Sequence, residues 1–205
     1  MAIKPILFNT EMVRAILDGR KTCTRRVVRF LPGENPQWTG YIRDGLMLYN
    51  GRNEPCIMKA PYQPGDILYV RETWCGLPVN EAGHMRGHTI YYYRADGELR
   101  PKGWRGTWDP SIRMPKEAAR IWLKVTDVRV ERLQDITSEQ IYREGTEVEE
   151  PFVLNGEEKR YAFSVLWNST IKKSDLDRYG WEANPWVWVI EFERCEKPEE
   201  VNDGN

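Results

Sequence analysis

The segment Gly19-Arg20-Lys21-Thr22-Cys23-Thr24-Arg25-Arg26 sets an amine, a thiol, two hydroxyls and three guanidiniums close together in a chain of 205 residues. Such a set can activate a hydroxyl. A threonine is a poor nucleophile until a neighbour takes its proton, and a lysine can do so once its own ammonium has been discharged. Thr24 and Arg26, two apart, share one face of a strand, whereas Lys21 and Thr24 face opposite ways unless the backbone is still turning between them. A purely structural reading also fits: a lysine that neutralises helix-end carbonyls, and a threonine with good strand propensity. Glu144 is the carboxylate that sharpens the question. It ends a helix, where the dipole disfavours a carboxylate, so it calls for a cation, and Lys21, Arg26 or Arg71 can supply one. Arg20, Arg25 and Arg26 favour a discharged lysine, and a plain ion pair with Glu144 opposes it. As partners these two would therefore titrate as a coupled set, and a simple pair would make the site structural or one that binds a ligand without cleaving it.

The elements that must position these groups follow from local patterns. A short strand over 5–8 precedes a helix from about Glu11 to Asp18, capped by Thr10 and closed by Gly19. Residues 22–29 are rich in β-branched types and read as a strand. PGDILYVRETW gives a turn and then a strand over 67–72, placing Arg71 and Glu72 at its end and Trp74 just beyond. The run ARIWLKVTDVRVERL alternates at Val125, Val128 and Val130, with a turn or bulge expected near Thr126 and Asp127. Thr137 with Gln140 forms a capping box inside a hydrophobic staple of Ile136 and Ile141, and Gly145 closes the helix over 138–144. A helix over 160–171 follows, and then a strand in which Trp186, Trp188, Ile190 and Phe192 alternate onto one side. At least one of Trp186 and Trp188 is expected in the core, while Trp74 and Trp186 are candidates to stack on a base. Arginines offer planar donors to phosphates and base edges.

Lys and Arg number 30 against 31 Asp and Glu, which excludes a bulk cationic clamp for DNA. The charge is uneven: the first thirty residues carry seven cations against Glu11 and Asp18, and the last fifteen are acidic. No run approaches the roughly 18 apolar residues of a membrane helix, and the N-terminus lacks the apolar core of a secretory signal, so a cytoplasmic protein with no membrane partner is expected. Cys23, Cys56, Cys75 and Cys195 lack paired spacing and read as reduced thiols. Cys75, His84 and His88 invite a zinc reading, but Gly83 and Gly87 flank the histidines and no fourth ligand is evident, so neither metal nor other cofactor is expected. Strands interspersed with short helices, without a βαβ rhythm, predict an α+β fold on a mostly antiparallel sheet or small barrel. One domain over 1–195 is expected, with inserts near 31–61, where a hairpin is read, and 75–118. A disordered acidic tail over 196–205 follows.

Gly19-x-Lys21-x-x-Thr24-x-Arg26 resembles the G-x-K-x-x-E-x-R signature of the ASCH domain, a family of PUA-like β-barrels, with Thr24 where glutamate is usual. The helix ahead of it, PGDILYVRETW, DITSEQIYREG, FSVLWNST and NPWVWVIEF resemble ASCH elements in the expected order. The threonine is similar to one bacterial branch, the N4-acetylcytidine amidohydrolases, whose motif reads GRKTxTxR. That resemblance implies Lys21 as base, Thr24 as nucleophile and Glu144 as proton donor, with Arg26, Arg71, Glu72, Trp74 and Trp186 as candidate substrate-binding residues. The partner implied is a nucleoside, RNA or DNA. The alternatives are a noncatalytic reader of a modified base and a metal-dependent ribonuclease.

Overall fold

The computed structural model describes residues 1–34, 41–43, 47–50, 52–79, 88–97, 106–146 and 156–199. The first half of the chain holds β1 (Ile3–Leu7), α1 (Thr10–Leu17), β2 (Cys23–Val27), β3 (Tyr41–Arg43), β4 (Met47–Tyr49), β5 (Ile67–Arg71), β6 (Trp74–Val79) and β7 (His88–Tyr93). The second half holds β8 (Trp122–Arg132), α2 (Ser138–Arg143), α3 (Gly156–Thr170), α4 (Leu176–Tyr179) and β9 (Trp186–Cys195). The fold is α+β: five strands form one sheet in the order β1-β5-β8-β9-β2, and β3-β4 and β6-β7 form two hairpins. Of the mostly antiparallel sheet or small barrel expected, the described residues give the five-stranded sheet and no closed barrel. No helix among the described residues is long and apolar enough to cross a membrane.

The chain divides into two compact units. The first comprises 1–18, 66–124 and 194–205. In it β1 runs parallel to β5, Ile3 opposite Ile67, and β5 runs antiparallel to the start of β8, Leu68 opposite Leu123. Asn9, not Thr10, caps α1: its Oδ1 accepts from the Met12 N–H at 2.8 Å, so the helix begins one residue earlier than expected. Ile6, Val13, Ile16, Leu68, Val70 and Leu123 are buried, the apolar faces that a helix and a half-covered sheet both present.

The second unit comprises 19–65 and 125–193. Here β2 pairs antiparallel with β9, Cys23 opposite Glu191 and Val27 opposite Val187. The capping box forms as read: Thr137 Oγ1 accepts from the Gln140 N–H, and Gln140 Oε1 accepts from the Thr137 N–H. Gly145 closes α2 at φ +79°, a conformation a Cβ would strain. Ile136 and Ile141 join Leu133, Phe163, Trp167, Val187 and Val189 in one buried cluster. Two expectations change. β8 runs unbroken through Thr126 and Asp127. Trp186 to Ile190 are buried without alternation, because Val187 and Val189 also meet the helix-side cluster and so both faces of β9 are covered.

The hairpin expected within 31–61 is β3-β4, Tyr41 opposite Tyr49. Much of the two expected inserts, His84 included, and the tail from 200 onward lie outside the described residues.

Candidate functional site

Gly19 leaves α1 with φ +75°, which turns the chain before β2 begins. Lys21 then makes a single backbone bridge to Glu144, and the Thr22 N–H donates to the Arg143 carbonyl at 2.9 Å. That seam brings together groups 123 residues apart. Lys21 Nζ donates to Glu144 Oε2 at 2.7 Å and to the Glu144 carbonyl at 2.9 Å, so one ammonium both caps the end of α2 and pairs its last carboxylate. The other carboxylate oxygen is held by Arg25, Nη1 to Oε1 at 3.0 Å. Arg25 is anchored in turn by Gln140 Oε1 at 3.0 Å, with Glu131 Oε2 at 3.5 Å from the same Nη2. Side-chain exposure is 0% for Lys21, 1% for Arg25 and 5% for Glu144. Among the described residues Lys21 and Arg25 thus pair with Glu144, and Glu131 lies between Arg25 and Arg129.

Thr24 and Arg26 form a second pair, on the alternate positions of β2. Arg26 Nη1 donates to Thr24 Oγ1 at 2.6 Å and to the Arg25 carbonyl at 2.9 Å. Thr24 is 1% exposed, whereas Arg26 is half-buried. Burial lowers the Arg26 guanidinium from its usual value, and the charges of Glu144 and Tyr62 pull it back up. Burial raises the Tyr62 phenol, with Arg26 acting against it. Cys23 lies in the same neighbourhood, its thiol pushed up to about 12 by burial first and then by the charge of Glu144. Both effects favour the protonated thiol.

The remaining candidates have other engagements. Trp186 is buried, and Arg132 lies over its ring at 4.3 Å from the centroid while donating to the Asn184 carbonyl. Arg71, Glu72 and Trp74 belong to the first unit. Arg71 donates through Nε to the Met114 carbonyl at 2.8 Å and through Nη2 to that of Ile112. Glu72, 1% exposed, accepts two bonds from Arg120 at 2.9 and 3.0 Å, and Arg120 lies over the Tyr93 ring. Burial raises the Glu72 carboxyl although Arg120 works to lower it. Trp74 exchanges backbone hydrogen bonds with Asp109 and packs on Tyr91.

Arg25, Gln140, Glu131 and Tyr62 were not singled out as site residues from the sequence. A signal for Arg25 exists: it lies four residues from Lys21 and therefore on the same strand parity. Among the described residues no group of three or more His, Cys, Asp and Glu stands at metal-ligating positions. No family model matches the chain, and no curated protein matches it. Among solved structures, an ASCH domain from Lactobacillus crispatus JV V101 aligns over 94% of this chain and 79% of its own, at 12% sequence identity and a TM-score of 0.37.

Proposed function

We propose that the chain is an ASCH-type protein of PUA-like descent whose second unit receives a cytidine-like nucleobase, free or within RNA, and hydrolyses an acyl group from its N4. The observation behind the reading is that Lys21 and Glu144, which the GRKTxTxR motif and the later helix single out independently, meet at 2.7 Å; that pairing favours the ammonium, so the reaction begins only once Lys21 has given up its proton. Arg26 and the Tyr62 phenol form the half-buried side of the cluster and are where a base would approach.

The reaction needs Lys21, once discharged, to turn from Glu144 and take the Thr24 proton as Oγ1 bonds to the acyl carbon. Arg26, already donating to that oxygen, stabilises the charge developing on it. The C–N bond then breaks, and the proton held by the Lys21–Glu144 pair passes to N4, releasing cytidine. Water next adds to the acyl-threonine, giving up one proton to Lys21. The ester bond breaks, Thr24 recovers its proton, and the carboxylic acid leaves. The net change is acylcytidine plus water to cytidine plus acid.

The second reading is a noncatalytic reader of a modified base. It is favoured by the burial of Lys21, Thr24 and Glu144 and by the bond that already occupies the Thr24 hydroxyl. Incubation with N4-acetylcytidine, and separately with RNA, decides between them using wild type, Lys21→Ala and Thr24→Val. Release of acetate by wild type and its loss in both variants supports hydrolysis. Binding without product supports the reader, and RNA cleavage abolished by EDTA would replace both with a metal-dependent nuclease.

A further inference from the structure

The Glu144 carboxylate has two cations, one on each oxygen, and only one of them can be discharged. Lys21 on Oε2 is an amine able to lose a proton, whereas Arg25 on Oε1 is a guanidinium that keeps its charge at any working pH. In a site this enclosed an uncompensated carboxylate is strongly disfavoured. With Lys21 as its sole partner, Glu144 would hold the lysine charged and block it as a base. We propose that Arg25 is a positioning residue that serves Glu144 as a permanent counter-charge, so that Lys21 can pass between charged and neutral forms without stranding a buried carboxylate. The inference rests on the hydrolytic reading for its catalytic consequence, though not for its effect on the proton.

The geometry suits that role. Arg25 does not reach for solvent or for Thr24; its Nη1 goes to Glu144 and its Nη2 to Gln140 Oε1, with Glu131 at 3.5 Å. Gln140 is itself fixed, because the same Oε1 accepts from the Thr137 N–H in the capping box. Arg25 Nε and Glu131 Oε2 are buried without a hydrogen-bond partner among the described residues, so the guanidinium is held by its Nη atoms. Among the described residues, the other charged and titratable groups around the Lys21–Glu144 pair include Arg20 on the Gly145 carbonyl, Cys23 and Arg26 from β2, Glu131 from β8 with Arg129 on its other oxygen, and Arg143 from α2, with Tyr62 beyond Arg26. Cys23 has no cationic form and Arg143 donates to Thr22 and Glu191, so neither substitutes for Arg25.

The test follows the Lys21 Nζ resonance by NMR as pH is raised, in the full chain of wild type, Arg25→Gln, Arg25→Lys and Arg25→Gln combined with Glu144→Gln. Lys21 is expected to keep its proton to higher pH in Arg25→Gln than in wild type, to return close to wild type in Arg25→Lys, and to be indifferent to Arg25 once Glu144 is Gln. Identical Lys21 titration in wild type and Arg25→Gln overturns the proposal, as does an Arg25 effect that persists without the Glu144 charge. If Arg25→Gln does not fold, Arg25→Lys decides: titration as in wild type supports the role of charge, and a displaced titration refutes it. On N4-acetylcytidine, Arg25→Gln is expected to lower kcat by about 10-fold to 100-fold with KM little changed and the pH–rate profile displaced upward. Absence of turnover in wild type would defeat the hydrolytic reading while the titration still judged Arg25.

Discussion

At residue 144 one carboxylate joins two cations, and the energetics of buried charge make the three side chains interdependent. Removing one member of a buried pair typically costs about 3–5 kcal/mol, because the survivor is left uncompensated. Lys21→Met on its own leaves Glu144 with Arg25, and Glu144→Gln leaves two neighbouring cations without that acceptor charge. The double variant loses the Lys21–Glu144 interaction once, where the two singles each count it, and leaves Arg25 to Gln140 and Glu131. Urea denaturation of wild type, both single variants and the double variant is therefore expected to give a double-variant cost at least about 1 kcal/mol below the sum of the singles. Simple additivity would show that the pair contributes nothing as a pair. The sequence exposed the chemical types in this cluster and, through strand parity, the shared face of Thr24 and Arg26, but not which cations Glu144 takes from across the fold.

The element that presents Glu144 is a six-residue helix, too short to persist without its caps and its packing. Thr137 and Gln140 satisfy its first turn, Lys21 its last carbonyl, and Ile141 seats it in the core cluster. Thr137→Ala removes the hydroxyl acceptor alone and is expected to cost about 1 kcal/mol in thermal or chemical unfolding. Gln140→Leu removes the reciprocal cap and also the acceptor that anchors Arg25, so it is expected to cost more than Thr137→Ala. Equal costs would mean that the Arg25 anchor has no energetic weight. The capping box was legible because it is complete within four residues, whereas the extra duty of Gln140 involves a partner more than a hundred positions away.

At the scale of the whole chain, ionic contacts make stability depend on pH. Glu191 on β9 accepts from Arg129 at 2.7 Å and from Arg143 at 2.6 Å. Burial by itself would raise its carboxyl, but these two partners outweigh burial and hold it below the ordinary value of 4.5. A folded-state value below the unfolded one gives a contribution present in full above 4.5 and lost as pH falls through the folded value. Glu191→Gln is therefore expected to be less stable than wild type by about 1 kcal/mol at neutral pH, with the gap closing in acid. A gap that widened as pH fell would reverse this assignment. Glu72 in the first unit has the opposite sign: its raised carboxyl favours the fold most in acid and progressively less as pH rises through its folded value.

The amino-acid order by itself determined what is complete within a turn or a strand. The α2 capping box, the glycine that ends it, the strand after Gly19 and the apolar character of β9 all depend on neighbours a few positions away, where backbone sterics and period decide. The cation for Glu144 was open among Lys21, Arg26 and Arg71, and only the tertiary structure chose Lys21 and added Arg25. It also covered both faces of β9 and put a guanidinium over Trp186. Those outcomes depend on the β2–β9 register and the bridge at Lys21, which bring distant segments together. The energy of such contacts is collected only once the intervening chain has closed, and no local pattern of residues encodes that closure.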